Sequence, residues 1–374
     1  MRICQVCPYD FSMPGGVQTH IRDLSITLSN QGHEVSILTV RVNREMDSAI
    51  NKFLVEAGNS FRFNGLGTSF DITYSNRRHR QKLLSYLGNS GFDLVHLHTP
   101  WSPLMPFQVM RLARQEHIPL IATFHDTPAN SPIGKLLGKY VMPRAANFFL
   151  KRLNATISVS ESQARYLDPK GEKGITIIPN GIDTNHYQQQ VSLETGESSA
   201  FRILFLGRLE PRKGVFDALD VFEDLNREFE RLELTIAGAG PLESQIQQRI
   251  AGLGLDNVTM RGYVSEQQKL YLLHNSDVLI APALYGESFG IILLEAMAAG
   301  LPVVGYGNEG YWNVARDYAP DFFPAPGERE TLSKKMKILI QEPGLRSHLS
   351  ERGLEIATKY DWEIISRHIF TLYQ

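Results

Sequence analysis

Residues 201–214, FRILFLGRLEPRKG, indicate most clearly how the second half of the chain folds. Its first six residues form a mostly apolar run, which is typical of a buried strand in a parallel sheet. Gly207 and Gly214 bound the turn that follows, and a helical pattern covers residues 215–229. A strand, a glycine-bounded turn and a helix in this order predict one βαβ unit.

The same alternation continues through the rest of the chain, so each half is predicted to be an open Rossmann-like sheet of the α/β class. The predicted strands of the second half are 201–206, 232–237, 258–261, 278–281 and 302–305, with helices over 215–229, 242–253 and 265–275. Those of the first half are 2–7, 34–40, 94–97, 120–124 and 155–159, with a first helix over 17–31. A turn signal at Pro179-Asn180-Gly181 and a polar stretch after it place the junction near residues 178–195.

Length and composition point to two globular domains. The chain has 374 residues, of which 43% are hydrophobic and 21% charged, and its net charge is −2. Residues 1–180 hold 20 Lys and Arg against 13 Asp and Glu, a balance of +7, whereas residues 181–374 have a balance of −9. This asymmetry indicates an anionic partner for the first half or ordinary variation between domains.

The two cysteines, Cys4 and Cys7, lie on or beside the first predicted strand and are expected to be buried and reduced. No run of 18 apolar residues occurs, and the first ten residues lack the apolar core of a signal peptide. A cytoplasmic protein without a membrane span is therefore expected.

Residues 286–300, GESFGIILLEAMAAG, place two carboxylates eight positions apart around a predicted helix start at Ile291. A loop that enters a helix N-terminus presents free backbone N–H groups to a phosphate. Glu287 is then expected near the transferred group, with Glu295 about two turns into the helix and in reach of a ribose. A surface loop followed by a helix with two solvated glutamates is the alternative.

Glycines and cations mark two further turns. Arg208 and Lys213 follow the strand 201–206 and are well placed to hold a diphosphate, although a solvated basic turn would look the same. Pro14-Gly15-Gly16-Val17 follows the first strand and opens the first helix, where glycine lets a ligand approach the backbone. The motif is not G-x-G-x-x-G, so ordinary dinucleotide binding is not favoured.

Histidines end two strands of the first half. His125 follows the strand 120–124, where a side chain meets the crevice of an open α/β sheet and would contact a sugar hydroxyl or a reaction centre. His96 and His98 alternate on the preceding strand and resemble a metal pair. Because no carboxylate or cysteine completes the set, a structural role and no metal are predicted.

A basic cluster lies in a predicted helix over residues 76–87. Its cations are Arg77, Arg78, Arg80 and Lys82. A basic amphipathic helix is typical of binding to an anionic membrane surface. Nucleic acid is a competing partner, but no nucleic-acid-binding fold is evident, and a solvated helix face remains open.

These motifs, in this order, resemble those of retaining GT-B glycosyltransferases that carry an E-x7-E motif. The resemblance covers nearly the whole chain and rests on residues 14–18, 123–125, 178–181, 207–214 and 286–300. Within that group the chain is most similar to the bacterial phosphatidylinositol mannosyltransferases, through residues 7–9, 14–18, 64–65, 77–82 and 361–362.

The resemblance implies two Rossmann-like domains that face each other across a cleft, with the last helix crossing back to the first domain. Residues 1–178 would form the acceptor-binding domain and residues 179–359 the nucleotide-sugar-binding domain. Residues 360–374 would form the terminal helix on the first domain.

The resemblance also implies roles for single residues. Arg208 and Lys213 would hold the diphosphate, Glu287 the sugar and Glu295 the ribose. The implied catalytic residues are His125, Arg208, Lys213 and Glu287. The implied donor site comprises Gly16, Arg208, Lys213, Val264, Glu266, Lys269, Glu287, Phe289, Gly290, Ile291 and Glu295, in which Glu266 and Lys269 favour guanine. The implied acceptor site comprises Gly16, Gln18, Asn64 and His125.

The expected activity is retaining transfer of a hexose, mannose from GDP-mannose, to a membrane lipid headgroup such as phosphatidylinositol. No metal or other cofactor is implied, and the expected location is the cytoplasmic face of the plasma membrane, held by the basic helix. Two alternatives stay open, a UDP-sugar-dependent transferase acting on another lipid or a soluble acceptor, and a non-catalytic module that binds a sugar nucleotide or lipid. The oligomeric state does not follow from the sequence.

Overall fold

The chain divides into two units. The computed structural model describes residues 1–13, 15–40, 42, 48–65, 68–74, 77–102, 104–125, 142–189 and 200–374, with the backbone alone at 48, 59–65, 68–74, 77, 78, 80, 142, 143 and 145. Unit 1 consists of Met1–Gly181 and Trp362–Gln374, and unit 2 of Ile182–Asp361. The expected boundaries at residues 178 and 359 lie beside these limits.

Unit 1 is built on a seven-stranded parallel sheet. Its spatial order is β3-β2-β1-β6-β7-β8-β9. The strands are β1 (Arg2–Val6), β2 (Glu34–Thr39), β3 (Leu54–Glu56), β6 (Leu94–His98), β7 (Leu120–Phe124), β8 (Ala155–Ser158) and β9 (Thr176–Ile177). The order turns outward in both directions from β1 and β6, so the topological switch point lies between these two strands. Ligands of open α/β sheets bind at this place.

Two apolar layers cover the sheet of unit 1, one on each face. The helices along the chain are α1 (Gly16–Asn30), α2 (Ser48–Asn51), α3 (Arg77–Asn89), α4 (Met105–Gln115), α5 (Met142–Leu150) and α6 (Glu161–Leu167). Burial on both faces explains why the strands read as near-continuous apolar runs. Cys4 and Cys7 are free and buried, as expected, and burial raises the pKa of each thiol to about 12.

A two-stranded antiparallel sheet in unit 1 was not predicted. It pairs β4 (Asn59–Gly65) with β5 (Thr68–Tyr74). The signal was the alternation of Phe61 with Phe63 and of Phe70 with Ile72, separated by a glycine-rich turn. No strand was predicted over these residues.

The terminal helix, Trp362–Thr371, packs on α1 within unit 1, as the resemblance implied. Trp362, Ile365 and Ile369 are buried in the same apolar layer as Ile21 and Leu24 of α1. A Cβ atom at Gly181 would lie 2.4 Å from the Trp362 ring, so the residue before the junction has to be glycine.

Unit 2 is a five-stranded parallel sheet of order β12-β11-β10-β13-β14. Its strands are β10 (Phe201–Leu206), β11 (Leu232–Ala237), β12 (Val258–Gly262), β13 (Val278–Ala281) and β14 (Val303–Gly305). Its helices are α7 (Thr184–Gln188), α8 (Val215–Asn226), α9 (Glu243–Leu253), α10 (Glu266–His274), α11 (Ile291–Ala298), α12 (Trp312–Tyr318), α13 (Arg329–Gln341) and α14 (Pro343–Thr358). Every predicted strand of this half is present, and the switch point lies between β10 and β13.

Within the described part of the chain, no helix combines the length and the apolar character that crossing a bilayer requires.

Candidate functional site

The carboxyl ends of β10 and β13 carry the charged residues predicted in unit 2. The turn after β10 closes with a short 3-10 helix, Pro211–Lys213, and Gly214 then starts α8. Gly214 has a φ of +69°, and a Cβ atom there would lie 1.9 Å from the carbonyl oxygen of Pro282, just after β13. Because only glycine permits that approach, the two strand ends meet at the switch point.

Three cations and two carboxylates form one ion cluster at this point. Lys213 Nζ lies 2.6 Å and Arg212 Nη1 3.0 Å from the same atom, Glu287 Oε1. Glu210 joins the cluster, 2.8 Å from Arg212 Nε and 2.8 Å from Arg208 Nη2. The Glu287 side chain is only 10% exposed, whereas that of Arg208 is 64% exposed. The cluster therefore carries a surplus of one positive charge, with Arg208 at its solvent edge.

The loop after Glu287 leads into the N-terminus of α11. Gly290 caps this helix with a φ of +97°, and no side chain accepts a hydrogen bond at the cap. Phe289 is buried and Ile291 is the first helical residue. Glycine at the cap leaves the first backbone N–H groups of the helix for an external anion.

A second cluster gathers the residues predicted for ribose and base. Lys269 Nζ lies 2.9 Å from Glu295 Oε1 and 2.9 Å from Glu266 Oε2. The Tyr187 hydroxyl donates to Glu295 Oε1 at 2.8 Å and accepts from Lys269 Nζ at 2.9 Å. Half-buried Val264 directly precedes Ser265, the capping residue of α10.

Lys269 keeps its charge although it is nearly buried. Burial by itself would lower the pKa of Lys269, but the carboxylates of Glu295 and Glu266 outweigh it and raise that pKa above the usual value. Both bonds to Glu295 end on Oε1, so among the described residues Oε2 is the oxygen left to accept from a ligand hydroxyl.

The position of Glu295 corrects one expectation. It is the fifth residue of α11, so it lies about one turn into the helix rather than two. Sequence reasoning also missed three members of these clusters, Glu210, Arg212 and Tyr187. Arg212 and Glu210 stand inside the quoted turn and were available to it. Tyr187 had no local signal, because its contact with Glu295 spans 108 positions.

The switch point of unit 1 carries histidines instead of ions. His98 is the last residue of β6, His125 follows β7, and His20 lies on α1, which follows β1. All three rings are buried, and His98 Nδ1 lies 3.0 Å from His125 Nε2. The centroids of the His20 and His125 rings are 4.6 Å apart.

A chain of hydrogen bonds ties His125 to the C-terminus of the protein. The Gln5 amide donates through Nε2 to the Tyr373 hydroxyl at 3.2 Å, and Gln5 Oε1 lies 2.8 Å from His98 Nε2. Tyr373 is also 2.7 Å from His96 Nδ1, and His96 Nε2 is 2.7 Å from the Thr123 hydroxyl. His96 therefore has both nitrogens bonded to protein, in line with the structural role predicted for it, whereas His98 bonds His125.

Burial keeps these histidines neutral. It lowers the pKa of His20 to about 4 and that of His96 to about 3. For His98 and His125, burial and the neighbouring histidines hold the pKa well below its usual range. At neutral pH this site consists of uncharged donors and acceptors.

The remaining predicted residues of unit 1 are placed only in part. Gly16 is the first residue of α1, and a Cβ atom there would meet nothing within 4 Å. Gln18 donates through Nε2 to the carbonyl oxygen of Asp10 at 3.3 Å. Lys82 is exposed and donates to the carbonyl oxygen of Glu56. Pro14 and the side chains of Asn64, Arg77, Arg78 and Arg80 lie outside the described residues, so their roles stay predictions.

The two switch points are chemically suited to different ligands. In unit 2, a net positive cluster beside an uncapped helix N-terminus is suited to a diphosphate, and a buried carboxylate is suited to a diol. In unit 1, neutral imidazoles beside the α1 N-terminus are suited to a hydroxyl-bearing acceptor.

Comparisons with known proteins agree with this arrangement. The family profile described as "Glycosyl transferases group 1" matches residues 194–355, and the profile "Glycosyltransferase Family 4" matches residues 14–186. Phosphatidyl-myo-inositol mannosyltransferase of Propionibacterium freudenreichii is 31% identical over 389 residues, which covers 100% of this chain and 94% of the relative. The protein of the same name from Mycobacterium leprae is 29% identical over 376 residues, with 100% and 96% covered.

Solved structures agree at the level of the fold. The crystal structure of Anabaena HepE in complex with UDP and glucose matches with a TM-score of 0.76 at 19% identity, covering 99% of this chain and 98% of that one. The glycosyltransferase WaaG, involved in lipopolysaccharide biosynthesis, matches with a TM-score of 0.69 at 16% identity, covering 100% and 99%. The full-length relative at 31% identity, together with the profile matches in both halves, shows that the chain belongs to the group 1 glycosyltransferases, and it is a hexosyltransferase with the GT-B fold.

Proposed function

We propose that the protein transfers mannose from GDP-mannose, with retention of configuration, to the headgroup of phosphatidylinositol or a related membrane lipid. The observation that carries this proposal is the pairing of Arg212 and Lys213 with Glu287 beside the N-terminus of α11. The lipid acceptor is supported by the names of the full-length relatives, which are phosphatidyl-myo-inositol mannosyltransferases.

The donor diphosphate binds against Arg208 and Lys213 and the backbone of Phe289, Gly290 and Ile291. Positive charge at this place stabilises the negative charge that develops as the nucleotide diphosphate leaves. Glu287, held by two cations, orients the hydroxyl groups of the sugar. Glu295 binds the ribose through Oε2, and Glu266 accepts from the N1 and N2 donors of guanine.

The acceptor hydroxyl approaches the same face of the sugar that the diphosphate leaves. The bond from the sugar C1 to the β-phosphate oxygen breaks while the bond from C1 to the acceptor oxygen forms. The departing phosphate oxygen takes the acceptor proton, so neither a protein base nor a metal ion is required. His125, with Gly16 and Gln18, positions the acceptor.

The basic helix α3 brings the enzyme to its lipid at the cytoplasmic face of the plasma membrane. Its four predicted contacts, Arg77, Arg78, Arg80 and Lys82, would each contribute about 1 kcal/mol near an anionic leaflet. The balance of +7 over residues 1–180 supports this placement.

The decisive experiment offers the purified full chain GDP-mannose and vesicles with or without phosphatidylinositol. We expect a mannosylated lipid only with phosphatidylinositol, with the α configuration of the donor, and undiminished turnover in the presence of a chelator. Calorimetry should give tighter binding of GDP than of UDP, because uracil offers Glu266 a single ring N–H.

A UDP-sugar donor is the second candidate, because a solved structure of the same fold holds UDP-glucose. Tighter binding of UDP, together with transfer from a UDP-sugar, would replace the first proposal with this one. If the protein binds nucleotide but neither hydrolyses the donor nor transfers its sugar, a non-catalytic binding module would be favoured.

A further inference from the structure

Three buried histidines of unit 1 converge on one point. His20, His98 and His125 come from three different elements, and one nitrogen from each ring lies within 4.8 Å of those of the other two. The proposed transfer reaction uses His125 alone. His20 and His98 are therefore buried ionisable groups to which no step of the reaction assigns a task.

The partners of His98 define which of its nitrogens carries the proton. Gln5 donates through its Nε2 to the Tyr373 hydroxyl, which orients Gln5 Oε1 toward His98 Nε2 at 2.8 Å. His98 Nε2 is accordingly assigned as the protonated nitrogen. The lone pair of His98 then lies on Nδ1, the atom 3.0 Å from His125 Nε2.

His20 shows the same pattern. Its Nδ1 lies 3.0 Å from Asn180 Oδ1, an acceptor, so Nδ1 is assigned the proton and Nε2 the lone pair. His20 Nε2 is buried and has no hydrogen-bond partner among the described residues. A buried polar atom that lacks a partner in a native fold calls for an unseen water, ion or ligand.

Two neutral imidazoles whose outer N–H groups are held by amide oxygens, with lone pairs turned to a third imidazole, have the arrangement of metal-binding histidines. Three imidazoles suit zinc and its neighbours among the transition metals rather than magnesium or calcium.

We propose that His20, His98 and His125 form a binding site for a transition-metal ion of the Zn²⁺ type. Gln5 and Asn180 form its outer shell. At zinc–nitrogen distances of about 2.0–2.1 Å, the three nitrogens of such a site lie roughly 3–4 Å apart. The nitrogens lie within 4.8 Å of one another, so binding requires them to move closer together.

The ion would regulate transfer rather than take part in it. A metal ion bound to His125 Nε2 would replace the proton that this atom donates to His98 Nδ1. If His125 positions the acceptor, as proposed above, a bound ion competes with the acceptor for the same ring. Zn²⁺ should therefore inhibit transfer, whereas removal of metal should leave turnover unchanged.

The binding test is independent of activity. The full chain, stripped with a chelator and dialysed, is titrated with Co²⁺ as a visible-absorption probe and then with Zn²⁺. We expect a ligand-field band that saturates at one Co²⁺ per chain and disappears on addition of one equivalent of Zn²⁺. Absence of a saturable band, with no heat of Zn²⁺ binding by calorimetry, would overturn the proposal.

Variants separate this site from other histidines. His20→Ala should weaken Co²⁺ binding by a factor on the order of 10² or more, and Asn180→Ala by roughly 10- to 100-fold as an outer-shell change. His117→Ala, at an exposed position of the same unit, is the matched control and should bind like the parent.

Unchanged Co²⁺ affinity in His20→Ala would contradict the assignment. Thermal unfolding and GDP binding report whether each variant is folded, and Asn180→Ala keeps the test open if His20→Ala does not fold. Inhibition by Zn²⁺ is scored separately, so a failure of the transfer reaction leaves the binding result readable.

Discussion

The switch points of the sheets in units 1 and 2 occupy the same topological position but carry different side chains, neutral in unit 1 and charged in unit 2. At the carboxyl ends of β6 and β7 in unit 1, neutral histidines form hydrogen bonds with one another and with a side-chain amide. Where β10 and β13 end in unit 2, Lys213, Arg212 and Glu287 form charged pairs. Both arrangements use parallel strands whose carboxyl ends meet at a switch point, so the difference lies in the side chains and not in the fold.

The net charge of each unit does not match the charge of its switch point. Unit 1 has a balance of +7 and a neutral site, while unit 2 has a balance of −9 and a site with a positive surplus. Burial and local pairing therefore set the charge of a site more strongly than the sign of the surrounding surface. Four experiments test this difference between the units.

Acid should destabilise unit 1 first. The folded pKa values of His20 and His96 are about 4 and about 3, against 6.5 for an ordinary histidine. Between these values the unfolded chain binds more protons, so stability present above pH 6.5 is lost as the pH falls. At pH 5 each such histidine costs about 2 kcal/mol of unfolding free energy.

Urea unfolding of a Trp312→Phe variant measures this effect, because the remaining fluorophores, Trp101 and Trp362, both lie in unit 1. Hydrogen exchange in peptides that cover β10 and β13 is the control, since the ion clusters of unit 2 hold no histidine. If protection from hydrogen exchange were lost equally in both units at pH 5, the two units would not differ in acid sensitivity.

Membrane binding should depend on the basic surface of unit 1. Changing Arg77, Arg78, Arg80 and Lys82 to Ser removes about 4 kcal/mol of attraction to an anionic leaflet and should abolish vesicle flotation. Binding of the parent should also weaken with salt, because attraction is screened over about 8 Å at physiological ionic strength.

A matched control removes four cations from one helix of unit 2. These are Arg329, Lys334, Lys335 and Lys337 of α13. We expect that variant to float like the parent, and both variants to retain GDP affinity. A quadruple α3 variant that still floats would make α3 a solvated face and favour a soluble acceptor.

The ion cluster of unit 2 should stabilise the transition state of the transfer reaction. Lys213→Ala and Arg208→Ala are each expected to reduce turnover by a factor on the order of 10² or more, about 2.7 kcal/mol, as for loss of a donor to a leaving group. Lys337→Ala is the control, because this cation pairs with Glu228 away from the cluster. Near-normal turnover of the Lys213 variant would end the diphosphate assignment.

The smallest effect is expected from Tyr373, which lies at the other end of the hydrogen-bond network from His125. Tyr373→Phe removes the hydroxyl that orients Gln5 and bonds His96. A loss of about 1 kcal/mol of transition-state stabilisation, the size of one hydrogen bond, corresponds to roughly a fivefold lower kcat, which is the expected result. Affinity for GDP should be unchanged, since the proposed nucleotide site belongs to unit 2. A lower GDP affinity with normal kcat would show that the network does not act through His125.

The fold was predictable because its signals are local. Every parallel strand predicted from an apolar run is present in the structure, and the glycine turn over 207–214 was placed correctly from its spacing. The hairpin β4–β5 was missed, since its two alternating segments are short and no strand was predicted over them. The E-x7-E segment pointed to a loop and a helix start but overestimated how far Glu295 lies along the helix.

Two Rossmann-like sheets, a glycine-containing turn after the first strand of each and membership of a glycosyltransferase family could be predicted from the sequence alone. Periodicity, glycine placement and motif order are properties of residues that are near one another in the chain. Which side chains pair with one another follows from the three-dimensional structure. Tyr187 reaches Glu295 across 108 positions, Tyr373 reaches Gln5 across 368, and His20 reaches Asn180 across 160. Such contacts depend on which strands end side by side and on which side chains are buried together, and no local pattern in the chain records them.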